Sequence, residues 1–390
     1  MRITFVAPFG LSSKGTVRAR TLPLARMLAE RGHPVTLLIP PWDAPAEGGR
    51  SWEENGLRVV SVSVQGGLPW ILARLWRGLG RSQPDIVHIV KPRAYAGLVQ
   101  WLLWQRRRWR GRGVRIVLDV DDWEQAWEEV AGYPWLLARF LAWQEEWGIR
   151  HADAVTAASH WLADRVRADA PGTPVLYLPN GVPGLQEGEP LPEGPAPEPG
   201  TATVLWFTRF VEVAPSWMAA FWQALQRLQP GVHLLVAGQA LQPGRAERFR
   251  EALAGVTVQE GALEWVGPVA PDALPSLYAR STCAVFPAAD VPLNQAKCSV
   301  RLATTLLQGV PVVASGVGEQ VHYGQAGAAR LVPPEATPEE FAQAVAALLD
   351  APGQRQQLRE RARARLHARY GWERLAGELE AFYRQLAERG

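Results

Sequence analysis

The sequence predicts an α/β protein made of two doubly wound parallel-sheet domains in series, and three observations carry that prediction. Short β-branched runs alternate with longer helical patterns along nearly the whole chain, the signature of βαβ units. One Pro/Gly/Glu-rich stretch interrupts the alternation near the middle, after which it restarts. The 390 residues also suit two medium cores better than one.

Taken in order, strands are expected in the first half at residues 2–7, 35–39, 86–90, 116–120, 154–157 and 175–178. Helices fill the gaps: Leu22, Ala25, Leu28 and Ala29 recur at helical spacing, and Gly32 stops that helix before the second strand. The stretch 184–200 is too rich in proline and glycine for a helix or a central strand, so it is the expected linker between a domain at 1–183 and another at 201–370. Strands resume at 204–207, 233–237, 283–286 and 312–314. In 371–390 the residues Leu375, Leu379, Phe382 and Leu386 form one apolar stripe, and such a helix must dock on something already built. Open sheets of this kind bind ligands beyond the carboxyl ends of their strands, which places a cleft between the two domains.

Composition excludes several classes of function. With 47% hydrophobic and 20% charged residues, the chain is neither disordered nor fibrous. Cys283 and Cys298 cannot staple it, and no zinc-ligand spacing occurs. A net charge of +3 is too small for a dedicated nucleic-acid binder. The apolar start is too short for a signal peptide and no membrane-spanning run follows, so the expectation is a cytoplasmic protein in a reducing compartment. Of 41 basic residues only Lys14, Lys91 and Lys297 are lysine. They stand either where a compact ammonium is needed or by chance survival.

The first βα turn, residues 8–16, lacks both the dinucleotide fingerprint and the P-loop, which argues against a nicotinamide dehydrogenase and a P-loop NTPase. Gly15 and Lys14 at that helix entrance either receive an anion or form a plain turn. Polar groups crowd two strand ends: His88 and Lys91 on one, Asp121 and Asp122 on the next. His88 reads equally well as a satisfied histidine of a buried strand. Asp119, Asp121 and Asp122 offer an Asp-x-Asp spacing, but without a second ligand cluster, hydrogen bonding is preferred to metal binding. In the second half Arg209 follows the domain's first strand, and Lys297 and Arg301 lie four apart on one helix face, a suitable receptor for a diphosphate.

Five segments, in order, carry a resemblance to a known family: Leu28-Ala29-Glu30-Arg31-Gly32-His33-Pro34-Val35-Thr36, Pro84-Asp85-Ile86-Val87-His88, Ala152-Asp153-Ala154-Val155, Leu178-Pro179-Asn180-Gly181-Val182 and Gly309-Val310-Pro311-Val312-Val313-Ala314-Ser315. Through them nearly the whole chain resembles the retaining glycosyltransferases of family four. The resemblance implies the GT-B fold: two Rossmann-like domains facing a cleft, with the terminal helix crossing back to the first. It also implies transfer of a sugar from a nucleotide-diphosphate donor to the hydroxyl of a glycan or lipid-linked acceptor.

The chain departs from the family's pattern at several positions. The family's lysine five positions after Arg209 is Ala214 here, and its pair of glutamates falls on Ala296 and Thr304. His322 replaces a further glutamate, and Asp121 replaces a histidine. Lys297 is expected to supply the charge that Ala214 does not. The implied donor site is Arg209, Lys297, Arg301, Thr304 and Glu319, with Gly15 from the first domain. Lys14, Lys91 and Asp122 are expected to hold the acceptor, and Asp121 or His88 to orient its hydroxyl. No metal or other cofactor is expected. The missing carboxylates favour a rival reading, a non-catalytic relative that binds a glycan, a nucleotide or a partner.

Tryptophan is abundant, 18 in all, and Trp70, Trp76, Trp101, Trp104 and Trp109 alternate with arginines in the first domain. That pattern fits either peripheral contact with an anionic membrane on its inner face or an amphipathic core helix followed by a solvated basic loop.

Overall fold

A computed structural model describes residues 1–12, 15–111, 113–127, 130, 132–184 and 202–388. Lys14 and the expected linker from residue 185 onward lie outside the described residues.

The first sheet has eight strands in the order β3-β4-β2-β1-β5-β6-β7-β8. They are β1 (Ile3–Val6), β2 (Val35–Ile39), β3 (Arg50–Glu54), β4 (Leu57–Ser61), β5 (Ile86–Val90), β6 (Arg115–Val120), β7 (Ala154–Ala157) and β8 (Val175–Tyr177). All neighbours pair in parallel except β3 and β4, an antiparallel hairpin that the sequence reading missed. Its turn is Asn55-Gly56, both with positive φ, the two-residue chemistry that matches strand twist.

The second sheet runs β11-β10-β9-β12-β13-β14 and is parallel throughout. Its strands are β9 (Thr203–Thr208), β10 (His233–Gly238), β11 (Leu263–Gly267), β12 (Cys283–Phe286), β13 (Val312–Ser315) and β14 (Arg330–Val332). In each sheet the chain works outward from one strand and then crosses to its other side, at β1/β5 and at β9/β12. A crevice opens at such switch points, and the loops after β5, β6, β9 and β12 surround it.

Helices Leu68–Ser82, Ala94–Arg110 and His160–Asp169 cover one face of the first sheet through Leu75, Val99 and Leu162, which pack on Val87, Ile89 and Leu118. Helix Leu22–Glu30 covers the other face, beside helix Trp372–Glu388. The terminal helix buries Leu375, Leu379, Tyr383 and Leu386 against a core that includes Phe5 and Leu28, so its stripe docks on the first domain. The return is pinned where Val182 donates its N–H to Tyr370 O at 2.8 Å and Trp372 donates to Val182 O at 3.2 Å. Gly181 is required there, because a Cβ would come within 2.6 Å of the Trp372 ring.

The domains also meet through one buried polar knot. Asn180 donates its N–H to Cys298 Sγ at 3.1 Å and its side-chain amide to Cys298 O at 2.6 Å, while the Tyr323 hydroxyl donates to Asn180 O at 2.7 Å.

Candidate functional site

On the second-domain side, β9 ends at Thr208 and the chain turns through Arg209 and Phe210, the latter at φ +62°. That turn is organised by Glu212, a residue the sequence reading did not single out. One carboxylate oxygen accepts from the Thr208 hydroxyl at 2.9 Å and the Val211 N–H at 3.1 Å; the other accepts from Arg301 at 3.1 Å and lies 3.6 Å from Lys297 Nζ. Burial alone would raise the Glu212 carboxyl, but Lys297 and Arg301 override it and hold the group far below the usual carboxylate range. Burial lowers both cations in turn, Lys297 and Arg301, despite Glu212 beside them. Arg209 is exposed and its side chain makes no ion pair among the described residues.

Helix Val300–Leu307 positions Arg301, and its N-cap Ser299 accepts from Leu302 N–H at 3.3 Å. Lys297 sits just before that cap, its ammonium hydrogen-bonded to Asn294 at 3.4 Å and 5.1 Å from the centre of the Trp127 ring. Gly318, at φ +52°, closes the floor, because any Cβ there would meet Gln295 O at 2.6 Å.

On the first-domain side, Lys91 takes a left-handed backbone, φ +61°, as β5 ends. Its ammonium lies 3.0 Å from both Glu124 and Asp121, the former contact a hydrogen bond and the latter an ion pair without hydrogen-bond alignment. Burial opposes its charge, yet the two carboxylates hold it above its usual value. Glu124 is also bound by Arg93, and its own N–H donates to the buried Glu145 at 2.9 Å. Burial, with the Glu124 charge, pushes the Glu145 carboxyl up to about 8. Asp121 and Asp122 are likewise raised by burial; the enclosed Asp121 oxygen faces the Lys91 ammonium, whereas Asp122 keeps one enclosed oxygen without a partner. An enclosed acceptor oxygen lacking a donor fits a site that receives one from a ligand.

The loop after β6 bridges the two sides. Val130 packs with Val211 and Leu293 of the second domain, flanked by Ala126 and Trp127. Across this contact Asp122 lies near Lys297, and the charges of the two act on one another.

Three expected site residues are corrected. His88 is enclosed in the first sheet, stacked on Phe5 at 4.9 Å. Thr156 gives its hydroxyl proton to Asp119 at 2.7 Å, so His88 Nε2 carries the ring proton toward Thr156 at 3.4 Å and Nδ1 accepts from the Tyr383 hydroxyl. Both nitrogens are thus spent inside the core, away from any acceptor. Glu319 is buried, with one oxygen accepting from His160 N–H at 2.7 Å and the other from the Tyr177 hydroxyl at 2.7 Å. It joins the domains rather than reaching a donor. Thr304 donates to Val300 O at 2.9 Å and meets Tyr278 at 3.1 Å, which occupies its hydroxyl. Gly15 is exposed, with open space where a side chain would stand.

The aspartate run does not gather around one ion, because Asp119 is bidentate to the buried Arg20 at 2.6 and 2.8 Å. Among the described residues His160, Glu319 and His322 bring ligand atoms within 4.8 Å of one another. The two imidazoles stack at 3.7 Å and 19°, however, so their in-plane lone pairs do not converge.

Comparison with known proteins identifies the family and agrees with the fold. The glycosyl transferase 4-like domain matches residues 15–181, and the glycosyl transferases group 1 domain matches residues 201–351. No curated protein matches the sequence. Among solved structures the chain is similar to sucrose-phosphate synthase from Thermosynechococcus elongatus, at 19% identity and TM-score 0.73 with all of both chains covered. It is similar to Anabaena HepE in complex with UDP and glucose, at 16% identity and TM-score 0.67, covering 98% of this chain and 99% of that one. A glycosyltransferase from Rickettsia africae matches at 15% identity and TM-score 0.69, covering 100% and 99%.

Proposed function

Given that the chain belongs to the group 1 glycosyltransferases and has the GT-B fold, we propose that it moves a sugar from a nucleotide-diphosphate donor to a hydroxyl acceptor, a glycan or a lipid-linked one, with retention of configuration. The observation that carries this reading is the convergence of Lys297 and Arg301 on the β9 turn that bears Arg209, near Asp122 with its one unpartnered buried oxygen.

In this reading the donor diphosphate lies against the three cations, and the HepE complex, which holds UDP and glucose, is the precedent for such a ligand. As the bond from the anomeric carbon to the phosphate oxygen breaks, negative charge grows on the diphosphate where the cations already stand, which lowers the barrier electrostatically. Lys297 supplies the charge that Ala214 does not. The acceptor oxygen forms its bond on the face the phosphate leaves, and its proton passes to the departing phosphate oxygen. Asp121 or Asp122 orients the acceptor by accepting from one of its hydroxyls. In this route neither takes the proton. Ala296, at the end of helix Pro292–Ala296, and Thr304, on helix Val300–Leu307, leave no carboxylate for the donor sugar at either position, so the diphosphate contacts carry more of the binding.

The test is turnover. The protein is incubated with a panel of nucleotide sugars, and slow hydrolysis of one donor is followed with the anomeric configuration of the released sugar. Retained configuration with one donor, lost in Arg209→Ala, is the expected result. No binding or turnover with any donor would overturn the reading in favour of a non-catalytic relative.

A further inference from the structure

The helices on one face of the first sheet turn an apolar and basic side outward. Helix Ala94–Arg110 stays helical through its last arginine, so the arginines 106–110 are not a loop. Trp109 in that turn is 87% exposed. On the neighbouring helix Trp135–Arg150, Trp135 is 68% exposed, and Leu136, Phe140 and Trp143 are exposed beside it.

These are not scattered residues. Phe140 stacks near Trp143 at 5.8 Å, Trp143 lies 6.0 Å from Trp147, and Trp147 meets Trp104 of the other helix edge-on at 5.5 Å. Arg108 lies over Trp104 at 5.0 Å, and Arg106 over Trp76 of helix Leu68–Ser82 at 5.6 Å. Between Trp76, Trp101 and Trp109 runs a groove of about 630 Å³ with Arg106 and Arg110 in its wall.

The charge on this face is basic on balance: on helix Trp135–Arg150, Glu145 is buried and Glu146 lies 3.9 Å from Arg150. Helices Leu68–Ser82 and Ala94–Arg110 carry seven arginines and no acidic residue. Arg107 pairs with Asp153 at 2.7 Å, but Arg106, Arg108 and Arg110 have no carboxylate partner among the described residues. A face of this size and apolarity is uncommon on a protein surrounded only by water. Tryptophan with flanking arginine is the composition that settles at a headgroup boundary, ring inward and guanidinium on phosphate. A second copy fits poorly, since a twofold contact would set the arginines of one protomer against those of its partner. No helix among the described residues is long and apolar enough to cross a membrane, so contact would be from the side.

We propose that this face docks the protein on an anionic phospholipid bilayer, with Trp109 and Trp101 in the headgroup boundary and Arg106, Arg108 and Arg110 on lipid phosphates. The first domain then faces the lipid, which brings a lipid-linked hydroxyl acceptor to the half of the cleft that holds Asp121 and Asp122. The docking itself does not depend on the sugar-transfer reading.

The full chain is floated with vesicles of phosphatidylglycerol and phosphatidylcholine, and separately with phosphatidylcholine alone, at low and high salt. Binding is expected only to the anionic vesicles, weaker at high salt. Arg106→Ser/Arg108→Ser/Arg110→Ser is expected to lose roughly a hundredfold in affinity. Trp109→Ser is expected to weaken binding in both salts, and both variants should keep the circular dichroism spectrum and thermal unfolding of the wild type, which report an intact fold. No binding to anionic vesicles, or binding indifferent to the three arginines, would overturn the proposal. So would sedimentation showing a wild-type dimer that Trp109→Ser dissociates, since the face would then belong to a second copy.

Discussion

Each domain buries a cluster of charge at the carboxyl end of its sheet, and the two clusters are balanced in opposite ways. In the first, Arg20 rises from a π-helical turn, Val17–Thr21, onto Asp119, which also accepts from Thr156, and the network closes through His88 and Tyr383. One cation meets one carboxylate, and every polar atom finds a partner within the core. In the second, Lys297 and Arg301 gather around one carboxylate, Glu212, and the exposed Arg209 stands on the same turn. The first cluster is matched within the core, and the second keeps surplus positive charge, which is what the proposed diphosphate receptor needs.

Breaking the matched cluster should have the largest effect. Asp119→Ala leaves Arg20 buried and unpaired, and is expected to cost about 3–5 kcal/mol in urea denaturation. Arg209→Ala, in the exposed position, should change stability by less than about 0.5 kcal/mol. Comparable losses from both would erase the distinction.

The pH dependence of the first cluster comes next. Burial drives His88 down to about 4, so its folded pKa lies below its unfolded value of 6.5. A depressed base stabilises the fold above the unfolded pKa, and that stability is lost as pH falls toward 4, by about 3 kcal/mol in all. Chemical denaturation of wild type and His88→Gln across pH 4–7 should give a steeper decline for the wild type. Parallel curves would show that His88 titrates freely.

For the second cluster, Lys297→Ala should weaken nucleoside-diphosphate binding by about 10- to 100-fold, since it removes a charge-assisted contact, and should change binding of the bare nucleoside little. An equal loss for both ligands would place Lys297 in base recognition or in folding. The smallest change is expected of Thr304→Ala: about 1 kcal/mol of stability from the lost Tyr278 contact, with donor affinity unaltered.

The sequence showed the strands of both sheets best where β-branched runs were fully buried, as in β1 and β5. It missed β11 and β14, which are short or carry polar residues, and it passed over the Asn55-Gly56 hairpin signal between β3 and β4. Strand ends rich in charge were legible as well, and Lys297 and Arg301 do converge near Arg209. What a linear reading could not supply is pairing. His88 is settled by Tyr383, 295 residues away, and Glu319 by Tyr177, 142 residues away. Without those partners a core histidine and a domain tie read as site residues. Glu212, a lone acid in a turn singled out for its arginine, was the available sign that the cations are held by an internal counter-ion.

Calorimetric titration of a panel of nucleoside diphosphates (UDP, ADP, GDP and dTDP) into the wild type, Arg209→Ala, Lys297→Ala and Asp119→Asn, each at a temperature where it is folded, tests the central claim most directly. The account predicts that at least one diphosphate binds the wild type, binds the first two variants at least tenfold more weakly and binds the third undiminished, because the proposed receptor is the surplus charge of the second domain. No binding of any of them, or affinity that is indifferent to Arg209 and Lys297 or lost with Asp119, would contradict it.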